Sequence, residues 1–181
     1  MRKTILATLA LGFIATSAYA MNTMVGGAEM FPEKNIVENA SNSKDHTTLV
    51  AAVKAAGLVE TLQGKGPFTV FAPVNAAFDA LPAGTVDTLL KPESKDQLTK
   101  ILTCHVVPAA AFAADVQKMV ADDGGMHKIK TVGGCELTAS VKDGKVMISD
   151  ENGNASTVTI ADVKQSNGVI HVIDKVLLPK S

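Results

Sequence analysis

The sequence predicts an α+β domain, and three observations predict it. Helical spacing of apolar residues is confined to the first half of the chain. Runs rich in Val, Ile and Thr, separated by turn residues, fill the second half. No regular alternation of strand and helix runs through both, which argues against a βαβ architecture.

The elements follow in order. MRKTILATLALGFIATSAYA, residues 1–20, reads as a secretory signal peptide: Arg2 and Lys3 form a basic start, Ile5 to Ala15 an apolar stretch, and Ala18-Tyr19-Ala20 an A-x-A cleavage site. A spanning helix needs roughly 20 continuous apolar residues, and Thr16 and Ser17 interrupt the run too early. No later segment is long enough, so no membrane span is expected after cleavage. Removal leaves 161 of 181 residues, enough for one domain. Losing Arg2 and Lys3 moves the formal charge from −1 to −3.

Residues 21–32, with Gly26-Gly27 and weak patterning, read as a flexible lead that becomes ordered near PEKNIVENA. Asp45 is placed to N-cap a helix carrying Leu49, Ala52, Val53 and Ala56, with Gly57 as its C-cap glycine. LVETLQ suggests a short second helix. FTVFA reads as a central strand buried on both faces, ended by Pro73. NAAFDAL, with Phe78 and Leu81, and GTVDTLL return to helical spacing. Ser94 to Gln97 has the form of a capping box opening a helix with Leu98, Ile101 and Leu102. That helix is expected to run into CHVVP as a strand. KIKTV, CELTASV, KVMIS, STVTI and VIHVIDKVLLP follow as strands, with turns at Gly133-Gly134, Asp143-Gly144 and Asn152-Gly153. The total is about seven strands.

Composition and motifs exclude several functions. There is no basic run, and one Tyr and no Trp leave nothing on which bases would stack, so no nucleic-acid partner is expected. No G-x-S-x-G, P-loop or H-E-x-x-H occurs, and no enzyme is expected. DDGG at 122–125 lacks the alternating oxygen ligands of a calcium loop. Met119, Met126 and Met147 lack paired spacing and read as packing residues rather than copper ligands. Cys104 and Cys135 are an even pair in an exported chain, which reads first as a disulfide closing a loop of about 31 residues. Two buried free thiols are the alternative. A zinc site or a cysteine nucleophile is a weaker reading, because Cys104 and His105 are adjacent and would face opposite sides of a strand. His46, His127 and His171 have no spacing that brings them to the thiol. No metal and no cofactor are expected.

Three segments resemble the signatures of the fasciclin (FAS1) domain, in order and spacing: FTVFAPVNAAF at 68–78, LTCHVVP at 102–108 and NGVIHVIDKVLLP at 167–179. The resemblance covers residues 33–179. It implies a FAS1 fold, a wedge of two β-sheets with several short helices packed on one side, and a non-catalytic role in adhesion in a secreted or membrane-attached protein. The motif positions are Phe68, Thr69, Val70, Phe71, Ala72, Pro73, Asn75 and Phe78, then His105, then Asn167, Gly168, Val169, His171, Val172 and Ile173.

In the family a tyrosine usually precedes the middle motif's histidine; Cys104 stands there, a departure that a bridge to Cys135 would offset. His105 is expected as a hydrogen-bonded core residue with Asn75 as a partner or cap, against a place in a binding surface with Val106 and Val107. Integrin-binding members carry an Asp-Ile pair before the last motif. Asp162-Val163 stands there, the Asp matching and Val replacing the Ile, either completing a receptor-held cation or capping a turn. The expected function is an exported adhesion module meeting a protein or polysaccharide at the cell surface, matrix or host. A periplasmic carrier of a small ligand or glycan, using a cleft beside the sheet wedge, is the alternative.

Overall fold

The computed structural model describes residues 22–180, and the expected signal peptide lies outside them. Strands β1 (Met24–Val25) and β2 (Ala28–Glu29) form a small hairpin. Six helices follow around the first two long-range strands: α1 (Ile36–Asn42), α2 (Thr47–Ala56), α3 (Val59–Gln63), α4 (Asn75–Asp79), α5 (Thr85–Leu89) and α6 (Lys95–Cys104), with β3 (Phe68–Pro73) and β4 (Val106–Val107). Helix α7 (Ala113–Asp122) leads into β5 (Met126–Lys130), β6 (Glu136–Lys142), β7 (Lys145–Ser149), β8 (Ala155–Gln165) and β9 (Gly168–Ile173).

The strands line up as β4-β3-β9-β8-β7-β6-β5. The β3–β9 pair is parallel and every other pair is antiparallel. Strand β8 makes the wedge. Its first residues, Ala155 to Thr157, pair with β7, and Val158 to Gln165 pair with β9 across two register shifts. One limb thus carries β4, β3 and β9, the other β5, β6 and β7.

Two cores result from the alternation of side chains along a strand. Val70, Ala72, Ile170 and Val172 point to the helix layer, where Leu49, Val53, Leu98 and Leu102 meet them. Phe71, Val107 and Ile173 point into the wedge, against Leu137, Ala139 and Ile148 of the other limb and Val116 and Val120 of α7. Strands β3 and β9 are therefore buried on both faces, as the β-favouring run FTVFA predicts for β3.

Local chemistry explains most boundaries. Gly57, at φ 73°, caps α2 by donating to the Lys54 and Val53 carbonyls. Asp143 and Gly144 both take positive φ, the backbone that a two-residue hairpin between β6 and β7 requires.

Several expectations are corrected. Residues 22–32 are not a loose lead: Val25 and Met30 are buried in the helix-side core. Asp45 does not cap α2. It lies in a 3₁₀ turn, and the Asn75 carboxamide oxygen accepts from Thr48 N–H at 3.0 Å in its place. Ser94 makes no side-chain cap, because the preceding 3₁₀ turn Pro92–Ser94 holds its backbone near helical values rather than extended. Cys104 and His105 are not on a strand: α6 runs through Cys104, His105 is its C-cap, and β4 has two residues. Helix α7 is an element absent from the expected set, although Val116, Met119 and Val120 have helical spacing.

Cys104 and Cys135 form a disulfide with Cα atoms 5.4 Å apart, joining the end of α6 to the turn between β5 and β6. Closing 31 residues restricts the unfolded chain. Reduction is expected to lower stability by about 4 kcal/mol on the chain-entropy relation, read as a lower urea midpoint with reductant. A Cys104→Ala/Cys135→Ala variant should match the reduced protein, and an unchanged midpoint would show that the link adds nothing.

Candidate functional site

Between β4 and α7 the chain crosses the protein as Pro108-Ala109-Ala110-Ala111-Phe112. It has no strand partner there, so its backbone polar groups are satisfied from below by side chains. Thr69 of β3 donates its hydroxyl to the Ala109 carbonyl at 2.6 Å and accepts from Ala111 N–H at 2.8 Å. His171 of β9 donates from Nε2 to the Ala111 carbonyl at 2.7 Å. Asp162 of β8 accepts at Oδ1 from Ala113 N–H at 2.7 Å, at the start of α7. Lys164 lies over the Phe112 ring, 5.7 Å from its centroid.

Asp162 reaches that position because β8 bulges. It takes φ 59°, a left-handed conformation that Asp tolerates better than most residues, and its N–H donates to His171 Nδ1 at 3.2 Å. The ring of His171 is thereby fixed at both nitrogens and stacks on Phe71, with centroids 5.8 Å apart.

The outward side of this junction is apolar and open. Pro108, Ala109, Ala110, Ala114 and Ala161 are exposed and Phe112 is half-buried. The Asp162 carboxylate lies at the edge, with Oδ2 making no hydrogen bond among the described residues. The Asp162–Ala113 bond joins IADV to the start of α7, at the end of the segment that follows CHVVP.

The other expected contact residues turn inward. Val163 is 1 % exposed and pairs with Ile170; His105, Val106 and Val107 are also buried. Their side chains serve the cores, and of the expected contact residues only Asp162 reaches the surface. His105 donates from Nδ1 to the Ile101 carbonyl at 2.8 Å and accepts at Nε2 from Leu177 N–H at 2.9 Å, tying α6 to the last segment. Asn75 is a cap of α2 and not the partner of His105. Cys104, bonded to Cys135, offers no thiolate to a metal or a substrate.

The third motif's Asn167 is buried and ties three elements: it donates to the carbonyls of Leu62 and Gly64 and accepts from Ile36 N–H. Gly168 follows because a Cβ there would run into the Phe68 carbonyl.

The Fasciclin domain family model matches residues 44–179. The chain belongs to the fasciclin domain family. Among fasciclin relatives, protein sll1483 of Synechocystis sp. is 50 % identical over 97 % of this chain and 93 % of its own length. Cell surface glycolipoprotein MPB83 of Mycobacterium bovis is 36 % identical over 77 % of this chain and 58 % of its own. In structure, the FAS1 domain pair of the insect cell adhesion molecule Fasciclin I superposes with a TM-score of 0.73 at 19 % identity, over 81 % of this chain and 51 % of that one. The likeness places the described fold among FAS1 folds. The fasciclin motifs thus map mainly to internal pins: Thr69 and His171 under the crossover, His105 and Asn167 between elements.

Three fasciclin histidines are buried and held neutral. Burial pushes His105 down to about 4, against the raising effects of the Ile101 bond and Asp150. Burial likewise lowers His46, bound to Ala72, and His171, bound to Ala111. Between their folded values and the ordinary 6.5, the unfolded chain binds more protons than the folded one. Stability is therefore full above about pH 6.5 and falls as pH drops towards about 4. His105 alone contributes roughly 3 kcal/mol of this loss. Urea midpoints are expected to be flat above pH 7 and to decline from about 6.5 downward, before most carboxylates titrate. A midpoint constant from pH 7 to about 5 would contradict neutral buried rings.

Proposed function

We propose that this fasciclin domain is an exported, non-catalytic adhesion module that meets a protein or polysaccharide at a cell surface, matrix or host through the crossover between β4 and α7. The observation that carries this reading is the crossover itself: an apolar strip, Pro108 to Ala114, exposed at Pro108, Ala109, Ala110 and Ala114 and pinned from below by Thr69, His171 and Asp162. An apolar surface held in one conformation loses little entropy on binding. The relative named as a cell surface glycolipoprotein and the structural neighbour named as a cell adhesion molecule support the same direction. The carboxylate of Asp162 adds a polar contact at the rim, and its second oxygen is available to a cation held by the partner.

Binding to an array of matrix proteins and envelope polysaccharides tests the reading. Ala110→Asp places a charge in the middle of the strip at an exposed position and is expected to weaken binding about ten-fold or more, with an unchanged melting temperature. Asp162→Asn keeps an oxygen acceptor for Ala113 N–H and removes the charge, and is expected to weaken any cation-dependent component selectively. Binding that survives Ala110→Asp would move the contact elsewhere on the domain.

A further inference from the structure

Asn-Gly occurs twice in the chain, at Asn152-Gly153 and Asn167-Gly168. This dipeptide is open to attack by its own backbone nitrogen on the preceding carboxamide, because glycine has no Cβ to obstruct the approach and reaches the required backbone conformations freely. The fold treats the two pairs in opposite ways.

Asn167 is buried, and its carboxamide is fully engaged: Nδ2 donates to the Leu62 and Gly64 carbonyls at 2.7 and 2.9 Å, and Oδ1 accepts from Ile36 N–H at 3.1 Å. Gly168 is paired with Phe68 of β3 on one side and with Gln165 of β8 on the other. Turning its nitrogen onto the Asn167 side chain would require the start of β9 to leave both neighbours.

Asn152 and Gly153 stand exposed in the loop between β7 and β8, where Gly153 takes φ 83° with open space in place of a Cβ. Gly153 N–H donates to the Asp150 carbonyl at 3.0 Å, and Asn152 Nδ2 donates to the carbonyls of Leu178 and Pro179 at 3.0 and 3.3 Å. These bonds lie in a surface turn and against a segment that belongs to no strand, so they open locally at far less cost than global unfolding. The same loop fastens that segment twice more: Asp150 accepts from Leu178 N–H and Glu151 from Lys180 N–H.

We infer that Asn152 is a site of spontaneous deamidation whose conversion unfastens residues 178–180. The Gly153 nitrogen bonds to Asn152 Cγ and gives up its proton, the Cγ–Nδ2 bond breaks, and ammonia leaves a five-membered succinimide. Water then opens the ring at either carbonyl, giving aspartate or isoaspartate. A donating amide thereby becomes a carboxylate set against two carbonyl oxygens and next to Asp150 and Glu151, so an attraction becomes a repulsion. The inference does not depend on adhesion through the crossover, which is held by other residues.

Peptide mapping by mass spectrometry, on protein held at mildly alkaline pH with and without concentrated urea, tests it. In urea the two Asn-Gly pairs are expected to convert at similar rates. In the folded protein Asn152 is expected to convert about ten-fold faster than Asn167 or more, since only Asn167 waits on the opening of a core strand. Asn152→Asp installs one product directly and is expected to speed amide hydrogen exchange at Leu178 and Lys180 about ten-fold, with Val70 and Ile170 unchanged. Equal rates for the two pairs in the folded protein, an Asn152 that converts in urea but stays intact when folded, or unchanged exchange at Leu178 and Lys180 in Asn152→Asp would each overturn the inference.

Discussion

The parallel pairing of β3 with β9 is the constraint on which the rest of the structure depends. Phe68 to Pro73 lies beside Gly168 to Ile173 in unbroken register, so residues about a hundred positions apart in sequence fix both cores at once. On one face Val70, Ala72, Ile170 and Val172 seat the helices, and on the other Phe71 and Ile173 fill the wedge. A slip of one residue would exchange the two sets and leave neither core filled. Gly168 permits the close approach of the two backbones, and Asn167 locks the entry to β9 against α1 and α3. The first and third fasciclin motifs are the two halves of this pairing.

Buried polar groups give that arrangement its specificity. Thr69, His105, Asn167 and His171 lie inside an otherwise apolar interior, and among the described residues no buried side-chain polar atom lacks a partner. Each satisfied group is neutral-to-modest in net stability but costly to leave unpaired, so it penalises alternative packings more than it stabilises the native one. The histidines fit this role because a neutral ring donates at one nitrogen and accepts at the other, bridging two elements that no ladder joins. His105 joins α6 to Leu177, and His171 joins the bulge of β8 to the crossover.

Most of the fold was legible because it is written in periodicity and turn chemistry. The β6–β7 hairpin follows from Asp143-Gly144, α2 from its apolar spacing and Gly57, and the two-sided burial of β3 from the β-favouring run FTVFA. Failures occur where another group, adjacent or distant in sequence, supplies what local chemistry promises. Ser94 loses its capping role to a preceding turn set by Pro92, and Asp45 loses it to Asn75, which arrives from the far end of β3. The candidate surface was hidden for the same reason. Asp162 and Ala113 are 49 residues apart, and only the bulge in β8 brings the carboxylate to the start of α7. The run PAAAFAA carries no helix or strand period before α7 begins, and its exposure follows from the crossover that carries it over the end of the wedge.

Interior and surface are divided at the crossover between the residues that hold it and the side chains it displays. Thr69, His171 and Asp162 hold the crossover by backbone atoms of Ala109, Ala111 and Ala113, and none of those bonds depends on the side chains displayed outward. Substitutions at Ala109, Ala110 or Ala114 can therefore change what the surface meets without disturbing what holds it. The same pins that fix the crossover contain one of the buried histidines, so its geometry is coupled to protonation. Charging His171 would remove the acceptor for Asp162 N–H and set a cation beneath the strip, which burial disfavours and the Asp162 carboxylate only partly offsets.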